Sequence, residues 1–427
     1  MIFNKKIEKL IFVALLSISS LNAIIEYDIQ NQIATCDSIT DAIKFLDSYN
    51  KTITKLHVQN ISEEMLSIED LESLADSIQF NYIIKELMLD FSGCNIGPDG
   101  VKLLAERIKF NKPITNLSLN LEGNNIQSEG IKALTDAINY NYMITKVTLD
   151  LSNNNIGPAG AEYLFREITD NAYITELDLN LAGNNKFKFD EFKINCIDYL
   201  ATAIKYNRVI TKLSLNLQNC FAQKSDMMKL TNALAQNKTI KILDLDLTEN
   251  NFGPGDAESL AMIIENDSAI INLSLNLENT NIEADGASYL ATAIENNSTI
   301  TKLNLNLSGR IEHCQMVSFA NAIENNKTIK KLAFRIVSEQ IEDNNIKNLS
   351  AAIENNAVIK KLLLNFESDN LDLNTLKPIA SAIGNNKAIA QFVLLCPEAN
   401  YKKMWDISNF FHKTIDPNKV KTNIIFK

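Results

Sequence analysis

Residues 114–141 read ITNLSLNLEGNNIQSEGIKALTDAINYN. The stretch begins in strict alternation, Leu117-Ser118-Leu119-Asn120-Leu121, and passes through a polar turn from Glu122 to Glu129. It ends with Gly130, Leu134 and Ile138 spaced by four, before Asn141. The apolar period changes from two to about 3.6 within one unit, which predicts a half-buried strand followed by an amphipathic helix. So short a unit buries neither face alone, and its stability has to come from neighbours of the same kind.

Those neighbours are present. ITKL or a close variant starts at Ile53, Ile84, Ile114, Ile144, Ile174, Ile210, Ile240, Ile270, Ile300, Ile329, Ile359 and Ile389. The twelve starts lie 29 to 31 residues apart, except for a gap of 36 between Ile174 and Ile210. Such a period through 427 residues indicates one array in place of two or three ordinary domains. Turns of the Asn-Asn-Ile-Gly-Pro type follow the strands at Asn95–Gly100, Asn154–Gly160 and Asn251–Gly255. Pro98, Pro158 and Pro254 suit a first helical turn, where the missing N–H is not needed. Many helices should end at Asn, as at Asn111, Asn207, Asn297 and Asn326, because Asn tolerates the left-handed conformation that closes helices.

The pattern Leu119-x-Leu121-x-x-Asn124-x-Ile126, then Gly130, Leu134 and Ile138, recurs as Leu149, Leu151, Asn154, Ile156, Gly160, Leu164 and Ile168. It resembles the leucine-rich repeat family, specifically its ribonuclease-inhibitor-like subfamily, over about residues 53–395. The resemblance implies an α/β fold, a right-handed solenoid (horseshoe) with a parallel β-sheet on the concave face and α-helices on the convex face. One departure is the repeat length, 30 here against about 28–29 in the subfamily. The extra pair falls in a strand that reads Leu-x-Leu-x-Leu, so strands should run about two residues longer. The family's asparagine slot reads Cys94, Asn124, Asn154, Asn184, Cys220, Asn250 and Thr280. Cys94 and Cys220 are accordingly expected to be buried structural thiols, and four strand spacings put them beyond disulfide reach. Arg310, Glu339 and Asp369 fill the later slots, so the last third should be less regular.

The array sets the remaining boundaries. Residues 1–23 read as a signal peptide: Lys5, Lys6 and Lys9 precede the apolar run from Leu10 to Ile18, and Ala23 is a small residue suited to cleavage. An uncleaved lipid-associating helix or a capping helix is the other reading. The run is short for a membrane span, and no later stretch is long and apolar enough for one. Residues 24–52 are expected to supply an N-terminal capping helix with Ile39, Ile43 and Leu46 on one face. Residues 53–395 are the array, and 396–427, with Trp405, Phe410, Phe411 and Ile424–Phe426, a C-terminal cap. The location is exported (periplasmic, secreted or cell surface) if the signal is removed, and cytoplasmic otherwise. Losing residues 1–23 takes the formal charge from −11 to −13, which disfavours nucleic acid and favours basic partners unless the charge serves solubility alone.

The residues offer no constellation for catalysis. His57, His313 and His412 stand in unrelated contexts, and no Cys-x-x-Cys, His-x-x-x-His or phosphate-loop spacing occurs. No metal or cofactor is implied, and the chain is read as not an enzyme. What a solenoid offers is a surface. If Leu117, Leu119 and Leu121 point inward, the outward positions form two rows. One runs Asp90, Asn120, Asp150, Asn180, Asn216, Asp246, Asn276 and Asn306, the other Met88, Ser118, Thr148, Asp178, Ser214, Asp244, Ser274 and Asn304. The ladder is polar and mildly acidic, so Asp150, Asp178, Asp244 and Asp246 are candidate contacts for a basic protein partner of a monomeric chain. The Lys186–Phe192 insertion carries Phe187 and Phe189, which either form a binding knob or fold back on a helix. Ala333, Leu363, Val393 and Leu395 make the last strands apolar outward, covered by the cap or by a partner. The leading expectation is a non-enzymatic protein-interaction scaffold. The alternatives are a regulator of an enzyme such as a small GTPase and a structural surface protein without a ligand.

Overall fold

In the computed structural model of the protein the described residues are 25–28, 32–47, 53–59, 66–184, 196–220, 225–265, 269–308, 313–337, 342–368, 371–397 and 401–426. The signal-peptide stretch, the Lys186–Phe192 insertion with Phe187 and Phe189, and the slots Arg310, Glu339 and Asp369 lie outside them. The chain forms two compact units, residues 1–203 and 204–427.

The first unit opens with a hairpin, β1 (Ile25–Asp28) antiparallel to β2 (Ile33–Cys36), followed by α1 (Ile39–Asp47). Strands and helices then alternate: β3 (Lys55–Val58), α2 (Ile68–Phe80), β4 (Glu86–Asp90), α3 (Gly97–Ile108), β5 (Asn116–Asn120), α4 (Gln127–Tyr140), β6 (Lys146–Asp150), α5 (Gly157–Asp170) and β7 (Glu176–Asn180). From β2 to β7 each strand is parallel to the next, so that Leu87, Leu117, Val147 and Leu177 are successive partners. Each helix from α1 to α4 lies against its successor. The helix expected in residues 24–52 is α1, with Ile39, Phe45 and Leu46 buried and Ile43 half-buried. The four-residue strands β1 and β2 escaped the sequence reading because alternation does not register over so short a run.

The division between the units falls within α6 (Cys196–Tyr206). The second unit continues with β8 (Lys212–Asn216), α7 (Asp226–Gln236), β9 (Ile242–Asp246), α8 (Pro254–Glu265), β10 (Asn272–Asn276), α9 (Glu283–Asn296), β11 (Lys302–Ser308), α10 (His313–Asn325), β12 (Lys331–Val337), α11 (Asp343–Asn355), β13 (Lys361–Glu367), α12 (Leu373–Asn385), β14 (Gln391–Cys396), α13 (Tyr401–Thr414) and β15 (Lys421–Phe426). All these strands are parallel in chain order. The topology therefore outlasts the sequence period: β14, α13 and β15 form one more strand–helix–strand step. The aromatics of this last segment divide. Phe411 is fully buried and stacks on Phe392 at 6.0 Å between ring centroids, whereas Trp405 is 54% exposed and takes no part in the core.

Two stacks of asparagine side chains hold successive repeats together. At the strand ends, Asn154 Nδ2 donates to Leu121 O (2.7 Å) and Ser152 O (2.9 Å), while its Oδ1 accepts from Asn124 N (2.9 Å) and Ile126 N (3.3 Å). Asn124 and Asn184 repeat the arrangement one step to either side. All three are buried, so these bonds satisfy turn backbone that water cannot reach. Cys94, Cys220 and Thr280 each make a local bond, donating to Ser92 O, Gln218 O and Leu277 O respectively. Cys36, Cys94, Cys196, Cys220 and Cys396 are all buried free thiols.

The second stack corrects the sequence reading. None of Asn111, Asn207, Asn297 and Asn326 has a positive φ, and Asn297 sits at φ −58°, ψ 133°. Most of the helix-closing asparagines instead send their side chains into the gap between helix ends. Asn111 Nδ2 donates to Ile78 O (2.6 Å) and Asn81 O (3.1 Å), and Asn141 Nδ2 to Ile108 O (2.9 Å) and Asn111 O (2.5 Å). Asn237, Asn356 and Asn386 do the same in the second unit. Left-handed residues occur instead in the turns after the strands, at Asn95, Asn125, Asn155, Asn219 and Asn279. The strands also differ from expectation. β4 to β10 have five residues, whereas β11, β12 and β13 reach seven and, like the six-residue β14, enclose the third apolar position. In the earlier units that position, Leu121 or Leu151, is buried just past the strand, its N–H bonded to Asp150 O or Asn180 O.

Candidate interaction surface

In each unit the helices cover one face of the sheet and leave the other open. On the open face of the first unit, Asp90, Asn120, Asp150 and Asn180 are half-buried register neighbours. Each Oδ1 accepts from the backbone N–H two residues on, Ser92, Glu122, Ser152 and Ala182, at 3.0 to 3.2 Å. These are Asx turns, in which the side chain ties down the strand's exit. Asp150 Oδ1 also accepts from Ser152 Oγ, and its Oδ2 from Asn180 Nδ2 at 2.9 Å. Asp246 is held in the same way by Thr248 and by Asn276 Nδ2 at 3.0 Å. Of the four aspartates marked in the sequence, Asp150 and Asp246 are therefore built into the scaffold. Asp178 and Asp244 are exposed in the other row, Asp178 beside Thr148, and Asp244 between Ser214 and Ser274. At the start of the first unit, His57 Nε2 lies 3.3 Å and Lys55 Nζ 3.2 Å from the Glu86 carboxylate. Burial alone would raise that carboxyl, but the bonds from Lys55 and His57 outweigh it and hold the group below the usual carboxylate range.

Two features of the second unit's open face went unread in the sequence. Lys302, Lys331 and Lys361 are successive register partners and exposed, an uninterrupted cationic row one position before the first leucine. Arg335, on β12, is gripped by two carboxylates. Its Nε and Nη2 donate to Glu367 Oε1 (3.0 Å) and Oε2 (2.8 Å), and its Nη1 to Glu278 Oε2. Those bonds, the fork to Glu367 foremost, raise an already high guanidinium pKa. Only the packing of the four strands β10 to β13 brings Glu278, Arg335 and Glu367 together, so no local spacing announces them. Beside them, Ala333, Leu363, Val393 and Leu395 are half-buried. β15 extends the sheet sideways from β14, while α13 lies against α12 on the helical side, so the apolar patch keeps its open face.

This arrangement can bind. Among the described residues no group of three or more His, Cys, Asp or Glu is placed to hold a metal ion, and no helix is long and apolar enough to cross a membrane. A family model described as "Leucine Rich repeat" matches residues 88–105, 115–134 and 145–165. These segments run from β4, β5 and β6 into the helices that follow them. No curated protein matches the chain. Among solved structures, "Leiomodin-1 Actin-Binding Site 2 (ABS2)" is similar at 19% identity and a TM-score of 0.26, covering 46% of this chain and 87% of that one. A score that low carries no argument about fold or partner. The matched segments, the leucine ladder in register and the buried asparagines Asn124, Asn154, Asn184 and Asn250 at their turns agree: the chain carries leucine-rich repeats.

Proposed function

We propose that this protein is a monomeric, exported, non-enzymatic scaffold that binds another protein on the open faces of its sheets. Leucine-rich repeats mark a protein-interaction scaffold, and the full α-helix of each repeat supports the ribonuclease-inhibitor-like assignment. The observation that carries the reading is the exposure of Asp178 and Asp244 on in-register strands. Such carboxylates fit a basic partner, as does the formal charge of −11. The apolar patch at Ala333, Leu363, Val393 and Leu395 would supply the desolvated centre that protein interfaces need.

Two measurements test this. The first is affinity purification of the secreted or periplasmic chain, followed by titration of the captured partner against D178K and D244K. A loss of about tenfold per reversal, in line with about 1.4 kcal/mol for one charge contact, is the expected result. Unchanged affinity removes the sheet-face reading. The second is N-terminal sequencing, in which an intact Met1 in the cytosol removes export.

A further inference from the structure

We infer that the first unit carries a second docking surface, an aromatic–lysine strip on its rim that takes an acidic, extended protein segment. The strip lies where the helices close. Asn81, Asn111 and Asn141 are stacked there by side-chain bonds to one another's carbonyls, Asn111 to Asn81 and Asn141 to Asn111. The residues flanking this stack are therefore neighbours in space. Phe80, Tyr82, Phe110, Tyr140 and Tyr142 flank it, exposed by between 50% and 77%. Phe110 and Tyr140 meet edge to face at 5.5 Å, and Tyr142 reaches Tyr173 in the next repeat at 6.1 Å.

The repeats themselves show that the fold does not require these rings. In the second unit the position before the closing asparagine holds Tyr206 at the first repeat and then Gln236, Asn296, Asn325, Asn355 and Asn385. There Asn296, Asn325, Asn355 and Asn385 each donate to a glutamate of the preceding repeat, at 2.9 to 3.2 Å. The same backbone slot is thus served by a solvated polar ladder. Aromatic side chains left in water at that slot in three consecutive repeats gain no core burial, and interfaces are where such residues contribute most.

Charge selects the occupant. In a chain of formal charge −11, residues 79–85, 109–115 and 139–145 contain Lys85, Lys109 and Lys112 and no Asp or Glu. The nearest carboxylates are Glu106 and Asp136, a turn back on their helices, Glu167, which accepts from Asn139 Nδ2 at 2.7 Å, and Asp170 at the matching position of the fourth repeat. Lys109 Nζ lies 4.6 Å from the Tyr140 ring centre and 5.7 Å from that of Phe110, and Lys112 Nζ lies 5.9 Å from that of Tyr142. The ammonium groups are held beside the rings, so a carboxylate meets a placed cation while its apolar neighbours meet a ring. Ring steps of about 5.5 to 6 Å over four repeats span about 17 Å, the length of about five extended residues. Three cations are too few for a nucleic-acid strand with a phosphate at every nucleotide.

The test is selection of random dodecapeptides displayed on phage against the full chain, followed by affinity measurement with the enriched peptides. Peptides rich in Asp and Glu alternating with apolar residues should emerge. Their affinity should fall at least tenfold with F110N/Y140N, fall again with K109E/K112E, and weaken as salt rises. The F110N and Y140N substitutions copy the second unit's own residues, so the variant should fold, and its circular dichroism and melting curve verify this. If it does not fold, the lysine reversal K109E/K112E alone decides. No enrichment, enrichment of basic or neutral peptides, tighter binding of an oligothymidylate probe, or affinity indifferent to both variants overturns the proposal. So does self-association abolished by F110N/Y140N, which would make a second copy the occupant. D178K should leave peptide affinity unchanged, which separates this surface from the sheet-face reading.

Discussion

At the scale of single residues, the buried asparagines carry the most consequence per atom. Asn154 satisfies two N–H groups and two carbonyls in a turn closed to water. N154A leaves Asn124 N–H, Ile126 N–H and Leu121 O without a partner, while Ser152 O keeps the Gly123 N–H. At about 1–3 kcal/mol for each group left unpaired, with partial relaxation, the expected loss is about 3–5 kcal/mol, read as a lowered urea midpoint. N154C should cost less, because the thiol can donate to its own turn as Cys94 does to Ser92 O. The thiols give a pH prediction. Burial pushes Cys36 and Cys396 from an ordinary value of 9.0 up to about 12. Between pH 9 and about 12 the unfolded chain sheds protons that the folded chain retains, so stability is intact below pH 9 and declines as pH rises through that window. Below it, both thiols should resist alkylation at pH 8 until denaturant is added.

At the scale of elements, local chemistry conflicts with packing at Gly130, in the first turn of α4. A Cβ there would overlap the Ile126 side chain and stand 3.2 Å from Pro98 Cα of the preceding repeat. Replacing Gly by Ala within a helix ordinarily gains about 1 kcal/mol of propensity. Overpacking against a backbone atom and a fully buried, β-branched neighbour costs about 1–3 kcal/mol. G130A should therefore be net destabilising, seen as a lower melting temperature. G255A, where a Cβ meets nothing within 4 Å, should be neutral or stabilising. The sequence showed which glycine belongs to the repeat motif but not what it touches, because the contact is with the previous unit. The helix-closing asparagines were misread for the same reason. Their helix-terminal position suggested a left-handed cap, whereas the carbonyls they serve lie 30 and 33 residues away.

At the scale of the whole molecule, the parallel strand–helix alternation was legible because each unit repeats one pattern at nearly constant spacing, and twelve aligned copies separate scaffold from variable positions. The candidate surfaces were legible only in part. Asp178 and Asp244 could be placed on an open face by alternation, but the Arg335 cluster and the rim strip exist only across repeats. Repetition also governs how stability is distributed, since stacked units are coupled chiefly to nearest neighbours. The end of the second unit tests that coupling. Phe411 in α13 is fully buried against Phe392, and Ile407, Ile415 and Val420 are buried with it. F411A should cost about 3–5 kcal/mol, the ordinary consequence of deleting a buried ring. If coupling is local, hydrogen exchange should accelerate in α12, β14 and β15 while β8, β9 and β10 keep their protection. A uniform rise across residues 204–427 would show instead that this unit opens as one cooperative body. The segment read from the sequence as a C-terminal cap would then control the stability of every repeat in the unit, and not only that of its last turns.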